Sequence, residues 1–320
     1  MMSGLNWEEL NTAPADAFRA LTAIGRRVRL VAALAGFLLW TGGRASLGAE
    51  PAPPLAKTLT VVQVCDPQIG LVEYAADLSR FEKAVGQINA LSPDFVFICG
   101  DLVQTPSRKA FSDFLAAKTQ FRAPCYCAPG NHDVGEVPTA ASLALYRECI
   151  GRDYFSLDHG DCAFVFVNTQ LWKAEVPGES EKHDAWFRTT LEAAAAKGRR
   201  IFVVGHIPVF SVTPDEPDGH DNLPLKKRGE ILEACRRCGV QAYLAGHSHR
   251  ARSADYFGMQ VVQSETTSMN FDLRPWGFRV WHIGATRPYA HEFVMLRLGA
   301  GAPATNAPAG TNLAPALKAP

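Results

Sequence analysis

The sequence predicts an α/β (α+β) fold, a four-layer sandwich of two mixed β-sheets flanked by helices. Three observations carry that prediction. From residue 57 to residue 128, short apolar runs alternate with longer segments of helical spacing, the rhythm of parallel strands joined by helices. A hairpin pattern then breaks the rhythm, and a simple doubly wound sheet does not need one. The last strand-like runs follow one another without helices between them, so antiparallel partners must be accommodated as well.

The elements follow in order. Residues 58–65 read as a strand, and residues 78–91 as a helix with Leu78, Phe81, Val85, Ile88 and Leu91 on one face. A strand over 95–99, a helix over 110–121 and a strand over 125–128 complete a βαβαβ unit. Residues 154–157 and 163–168, separated by His159-Gly-Asp161, read as an antiparallel hairpin. A helix is predicted over 183–197, a strand over 200–204, a helix over 226–238 and a strand over 240–245. Strands over 259–263, 277–283 and 291–298 close the fold.

The flanks are of a different kind. Arg26-Arg27-Val28-Arg29 precedes an apolar run from Leu30 to Trp40 and a small-residue stretch ending at Ala49. This is the layout of a signal peptide, or of an N-terminal anchor if uncleaved, so 1–49 is assigned that role and export to the periplasm or the exterior is the expectation. The run is shorter than the roughly 20 residues a spanning helix needs. Pro-rich 50–56 reads as a linker, 57–298 as the folded domain, and 299–320 as a disordered Ala/Pro-rich tail.

Composition removes some classes of function. Lysine plus arginine number 32 and aspartate plus glutamate 32, so no basic surplus points to nucleic acid or an anionic membrane. The 47% hydrophobic content is that of an ordinary globular enzyme. Eight cysteines could form four bridges after export, yet Cys65 and Cys99 end apolar strands, where buried thiols are common. Cys235-Arg-Arg-Cys238 lacks the second pair a zinc site would require. Structural cysteines, buried or paired, are the reading.

The chemistry sits where strands end. They close on Asp66-Pro67-Gln68, Gly100-Asp101-Leu102, Gly130-Asn131-His132-Asp133, Gly205-His206-Ile207-Pro208 and Gly246-His247-Ser248-His249. In open α/β sheets, ligands bind beyond the carboxyl ends of strands, so these side chains can share one crevice. A lone Asp there is usually a turn or cap residue, and a lone His a solvated or satisfied one. Five such ends with carboxylate, amide and imidazole reverse that reading. The donors Asp66, Gln68, Asp101, Asn131, His206, His247 and His249 are too many for a single ion. They suit two, of Mn, Zn or Fe, sharing a carboxylate. For His159, His183, His220, His282 and His291 the structural reading stands.

The order D-x-Q, GD, GNHD, GH-x-P, GHSH resembles the calcineurin-like metallophosphoesterase superfamily across residues 57–298. DPQIGL, CGDL, DYFS, HIPVF and GHSHRA are similar in wording to its calcineurin-like phosphoesterase domain-containing Ser/Thr phosphatase branch. The resemblance implies one ion on Asp66, Asp101 and His249 with Gln68 beside it. It implies a second ion on Asn131, His206 and His247, bridged by Asp101. His132 would protonate the leaving oxygen or steady the phosphoryl charge, and Asp133 would orient that imidazole. The implied reaction is phosphate-ester hydrolysis by a hydroxide bridging two divalent or trivalent ions, on a phosphorylated small molecule or a phosphoprotein. Two departures stand out. The usual D-x-H is D-x-Q here, which replaces an imidazole with the weaker amide of Gln68. The arginine that follows GD in the larger protein phosphatases is absent, leaving Arg250 or Arg108 as the candidate for binding substrate. Two alternatives remain open: a phosphodiesterase or nucleotidase on the same centre, and a non-catalytic metal-binding module.

Overall fold

The computed structural model describes residues 58–284 and 289–299. The predicted signal or anchor, the linker and, apart from residue 299, the Ala/Pro-rich tail lie outside the described residues. In chain order the elements are β1 (Leu59–Val64), α1 (Tyr74–Leu91), β2 (Phe95–Cys99), α2 (Arg108–Lys118), β3 (Cys125–Ala128), α3 (Asn131–Val134) and α4 (Ala140–Cys149). Then follow β4 (Phe155–His159), β5 (Cys162–Phe166), α5 (Gln170–Lys173), α6 (Ser180–Ala196), β6 (Arg200–Val204), α7 (Leu225–Arg237) and β7 (Val240–Ala245). The chain closes with β8 (Arg252–Tyr256), β9 (Met259–Gln263), β10 (Gly277–Ile283) and β11 (Tyr289–Met295).

These strands form two mixed sheets, ordered β11-β10-β1-β2-β3 and β4-β5-β6-β7-β9-β8. Period-two alternation explains how they stack. Along β2, Phe95, Phe97 and Cys99 pack into the core between the sheets, while Val96 and Ile98 pack into the cluster that carries the helices. Along β6, Phe202 and Val204 join the central core, and Ile201 and Val203 join the cluster built with α6 and α7. Phe164 bridges the layers, edge-on to Phe95 at 4.8 Å and stacked on Phe202 at 5.1 Å between ring centroids. Strands buried on both faces read as continuous apolar runs, which is how these runs appear in the sequence.

The four layers are therefore helices (α1, α2, α4), sheet, sheet and helices (α6, α7). β1, β2 and β3 run parallel, as do β5, β6, β7 and β9, while β10, β11, β4 and β8 pair antiparallel. Four elements escape the sequence reading, among them the single-turn helices α3 and α5. α4 is the third, although Thr139 and Ser142 cap its start reciprocally. The edge strand β8 is the fourth, because its RSADY sequence lacks the apolar bulk of a central strand. No described helix is long and apolar enough to cross a membrane. All eight cysteines are unpaired thiols, and Cys65 and Cys99 are buried in the central core.

Candidate metal centre

Two sheets meet at one edge and each brings a different donor chemistry. The first delivers Asp66 after β1, Asp101 after β2 and Asn131 after β3. The second delivers His206 after β6, and His247 and His249 after β7. All six are buried. The sheets are tied there by polar contacts. Gln63 Nε2 donates to the Ala245 carbonyl at 3.2 Å, and the His247 backbone N–H donates to both Asp66 carboxylate oxygens at 3.1 Å.

The ligand turns are strained. Among the described residues eight non-glycine positions have positive φ, and five of them are Asp66 (46°), Gln68 (38°), Asp101 (50°), His247 (68°) and His249 (51°). Backbone in this region is costly for ordinary side chains and gathers at functional sites. Two glycines make the close approach possible. A Cβ on Gly130 would overlap the Asp101 carboxylate and backbone, and one on Gly246 would overlap the Asp66 carboxylate.

Proton bookkeeping shows what the cluster needs. His206 Nδ1–H donates to the Cys99 carbonyl at 2.7 Å, so in the neutral ring Nε2 carries a lone pair. That Nε2 faces Asn131 Oδ1 at 2.9 Å, Asp101 Oδ1 at 3.3 Å and His247 Nδ1 at 3.1 Å. His247 Nε2 donates to the His220 carbonyl at 3.1 Å, leaving Nδ1 a lone pair as well. Asn131 commits its Nδ2 to Glu136 Oε1 at 2.8 Å, so its oxygen is the atom turned inward. With His206 neutral, four acceptors meet with no hydrogen to share, so the cluster needs either a proton on that ring or a cation. The second group repeats the logic. His249 Nδ1–H donates to the Met269 carbonyl at 2.5 Å, and Nε2 lies 3.5 Å from Asp66 Oδ1. Carbonyls behind a ligating imidazole fix its tautomer in just this way.

Asp101, His206 and His247 form one candidate metal group and Asp66, Asp101 and His249 another, with Asp101 common to both. Beside them Gln68 is buried, and its Oε1 has no hydrogen-bond partner. An orphaned carbonyl oxygen is a costly feature that a cation would satisfy. The residues therefore fit a metal pair. Electrostatics show what takes a cation's place without one: burial opposes charge on His206, yet Asp101 and Asp66 outweigh it and raise its pKa to about 10, so the metal-free ring carries a proton on Nε2 where an ion would sit. Burial also opposes charge on Asp101, but His206 outweighs it and holds the carboxyl below the usual range. Burial, followed by the His206 charge, pushes the His247 pKa down.

One expected contact is not there. The Asp133 carboxylate does not reach the His132 ring. It accepts backbone N–H groups from Leu102 (2.9 Å), Val103 (3.3 Å) and Gly130 (2.8 Å), clasping the two ligand turns together. Asp133 lies on the first turn of α3, where its side chain folds back onto its own N-cap and onto the turn that follows β2. The His132 imidazole is held instead by the Gln104 carbonyl, 3.0 Å from Nδ1. Asp101 Oδ1 accepts the His132 backbone N–H at 2.9 Å.

Arg250 sits at the rim, 3.6 Å from Asp221 and 5.7 Å over the Phe271 ring, which itself stacks on His249 at 4.7 Å. Arg108 is engaged elsewhere by Glu148 at 2.6 Å. Four residues near the donors carry no sequence signal of their own: Glu136, Gln104, His220 and Phe271. His220 departs from its structural reading, since its ring stacks on His247 at 4.6 Å and lies 3.6 Å from Glu136. The Pro-rich loop before α7 gives only a general hint of it.

A sandwich of mixed sheets with buried oxygen and nitrogen donors gathered at one edge defines a candidate metal-binding protein. The profile of the calcineurin-like phosphoesterase family matches residues 59–251. The chain is 32% identical over 260 residues to the serine/threonine-protein phosphatase CPPED1 of Bos taurus, covering 73% of this chain and 83% of that protein. It is 23% identical over 224 residues to the 3',5'-cyclic adenosine monophosphate phosphodiesterase CpdA of Escherichia coli K12, covering 66% and 77%. In fold it matches a dimetal phosphatase from Danio rerio with a TM-score of 0.55 at 14% identity, over 73% of this chain and 95% of that one. The chain belongs to the calcineurin-like phosphoesterase family and is a hydrolase acting on phosphate ester bonds.

Proposed function

We propose that this hydrolase is a two-metal phosphomonoesterase whose substrates include phosphoserine or phosphothreonine in proteins. The observation that carries the reading is the pair of donor groups sharing Asp101. Asp66, Asp101, His249 and Gln68 would hold one ion, and Asp101, Asn131, His206 and His247 the other. When bound, such a pair offers Lewis-acid charge to the phosphoryl oxygens and a water acidic enough to act near neutral pH.

The chain's own residues supply the rest. Buried and strained turns preorganise the donors, so little rearrangement is left for binding. With Nδ1 on the Gln104 carbonyl, His132 has Nε2 left for substrate, and it passes a proton to the departing alcohol there. Arg250, backed by Phe271 and Asp221, would bind a non-bridging oxygen or a neighbouring acidic group of the substrate. Similarity to the bovine phosphatase supports a phosphoprotein substrate. The layout of residues 26–49 supports export, which cell fractionation checks.

Similarity to the bacterial cyclic-nucleotide phosphodiesterase favours a second reading, diester hydrolysis on the same residues. Assays of p-nitrophenyl phosphate, bis-p-nitrophenyl phosphate and a phosphoserine peptide, each with Mn, Zn or Fe added, separate the two. Monoester and peptide turnover that vanishes in Asp101→Ala is the expected result. Preferred diester turnover overturns the monoesterase reading, and an Asp101→Ala variant at full rate overturns both.

A further inference from the structure

The loop after β2 is zipped to the loop after β1 beyond the end of the sheet. Gln68 N–H donates to the Asp101 carbonyl at 2.7 Å, Ile69 N–H to Leu102 at 3.3 Å, and Gln104 N–H to Ile69 at 3.0 Å. Ile69 and Val103 form a parallel bridge. This register brings the side chain of Gln104 against that of Gln68, and Gln68 Nε2 donates to Gln104 Oε1 at 2.8 Å. Gln68 is 2% exposed and its Oε1 has no partner. Gln104, being half-buried, has solvent on its other side.

An amide has one donor end and one acceptor end, and which end faces a cation decides whether it attracts or repels the ion. We propose that Gln104 is a positioning residue that fixes the Gln68 amide with its nitrogen occupied and its carbonyl oxygen free for a metal. This rests on the two-metal reading above. It explains how a D-x-Q turn serves where an imidazole is usual. An imidazole offers a lone pair once its tautomer is set, whereas an unrestrained amide could turn its NH2 toward the site. The main-chain carbonyl of Gln104 also holds His132, and side-chain substitutions leave that contact in place.

The test uses the full chain, stripped of metal and titrated with Mn²⁺ by calorimetry, with circular dichroism confirming the fold. Gln104→Glu can only accept, so it keeps the Gln68 orientation and is expected to bind Mn²⁺ at least as tightly as wild type. Gln104→Met removes the acceptor, and Gln104→Lys donates and reverses the amide. Each is expected to weaken one of the two sites roughly tenfold or more, the usual effect of losing a partner behind a ligand. Repeating the series in Gln68→Ala separates orientation from charge. The differences between Glu, Met and Lys at 104 should then shrink severalfold. Wild-type affinity in Gln104→Met and Gln104→Lys overturns the proposal, and so does a Glu-to-Lys difference that persists undiminished without Gln68. A wild-type chain that binds no Mn²⁺, Zn²⁺ or Fe overturns the two-metal reading itself, a distinct result.

Discussion

The two sheets contribute unequal halves to the site. The first sheet offers oxygen, from Asp66, Gln68, Asp101 and Asn131, on turns held by backbone strain and by the Asp133 clasp. The second sheet offers imidazole, and its rings are aimed by carbonyls behind them: Cys99 for His206, His220 for His247 and Met269 for His249. Left-handed backbone occurs in both halves, at Asp66, Gln68 and Asp101 in one and at His247 and His249 in the other. The difference lies in the donors: a carboxylate offers equivalent oxygens, whereas an imidazole must be told which nitrogen to present. The lesson is that donor symmetry decides where the fold adds a fixing contact. Neither half is a site alone, because Asp101 becomes a shared donor only when the sheets are stacked.

This contrast can be broken at its tightest point. Gly130→Ala places a methyl group where the Asp101 carboxylate lies, in the half with no slack. Displacing a donor by about 1 Å can cost 100-fold in rate, and we expect a loss of at least roughly that size in kcat/KM for p-nitrophenyl phosphate. The overall fold should persist by circular dichroism. An unchanged rate would show that the oxygen half tolerates movement, against the account given above.

A smaller effect sharpens the role of the clasp. Asp133→Asn puts an NH2 group against backbone donors, and loss of one accepting oxygen among buried N–H groups should cost about 1–3 kcal/mol, read from the urea midpoint. A residue whose task was to orient His132 would lower the rate and leave stability alone. Urea denaturation beside steady-state kinetics distinguishes the two.

The smallest effect compares an imidazole that is not a donor. His183 is buried against Tyr154, Trp172 and Trp186, and its Nε2 accepts the Asn168 N–H at 3.3 Å. Burial lowers its pKa from 6.5 to about 3. The folded ring therefore refuses a proton that the unfolded chain takes up below about pH 6.5. Stability from this residue is full above that pH and is lost as pH falls toward 3, by roughly 1 kcal/mol at pH 5.5. His183→Gln should flatten the slope of stability between pH 6.5 and 5, and an unaltered slope would refute the assignment.

Much of this was legible in the chain and some was not, for physical reasons. The strands at residues 95–99, 200–204, 240–245, 259–263 and 277–283 stand out because they are buried on both faces and carry little polar interruption. β8 hides because an edge strand is half solvated. The donors show themselves because each terminates an apolar run, most beside a glycine that allows close approach. Their supporting contacts do not. Gln104 and His220 meet the donors across loops distant in sequence, and Glu136 reaches Asn131 only because the chain turns after α3. Asp133 looks like a partner of its neighbour His132, yet the turn of α3 sends it backward onto Leu102 and Gly130. Side-chain direction on a single helical turn is a three-dimensional fact that adjacency in sequence misstates.

The sharpest test of the account is to count metal per chain by elemental analysis in four proteins reconstituted with Mn²⁺. Two ions are predicted in wild type, one each in His249→Ala and His206→Ala, and fewer than one in Asp101→Ala, because both ions lean on that carboxylate. Two ions retained in Asp101→Ala, or a loss no greater than in His249→Ala, would contradict it.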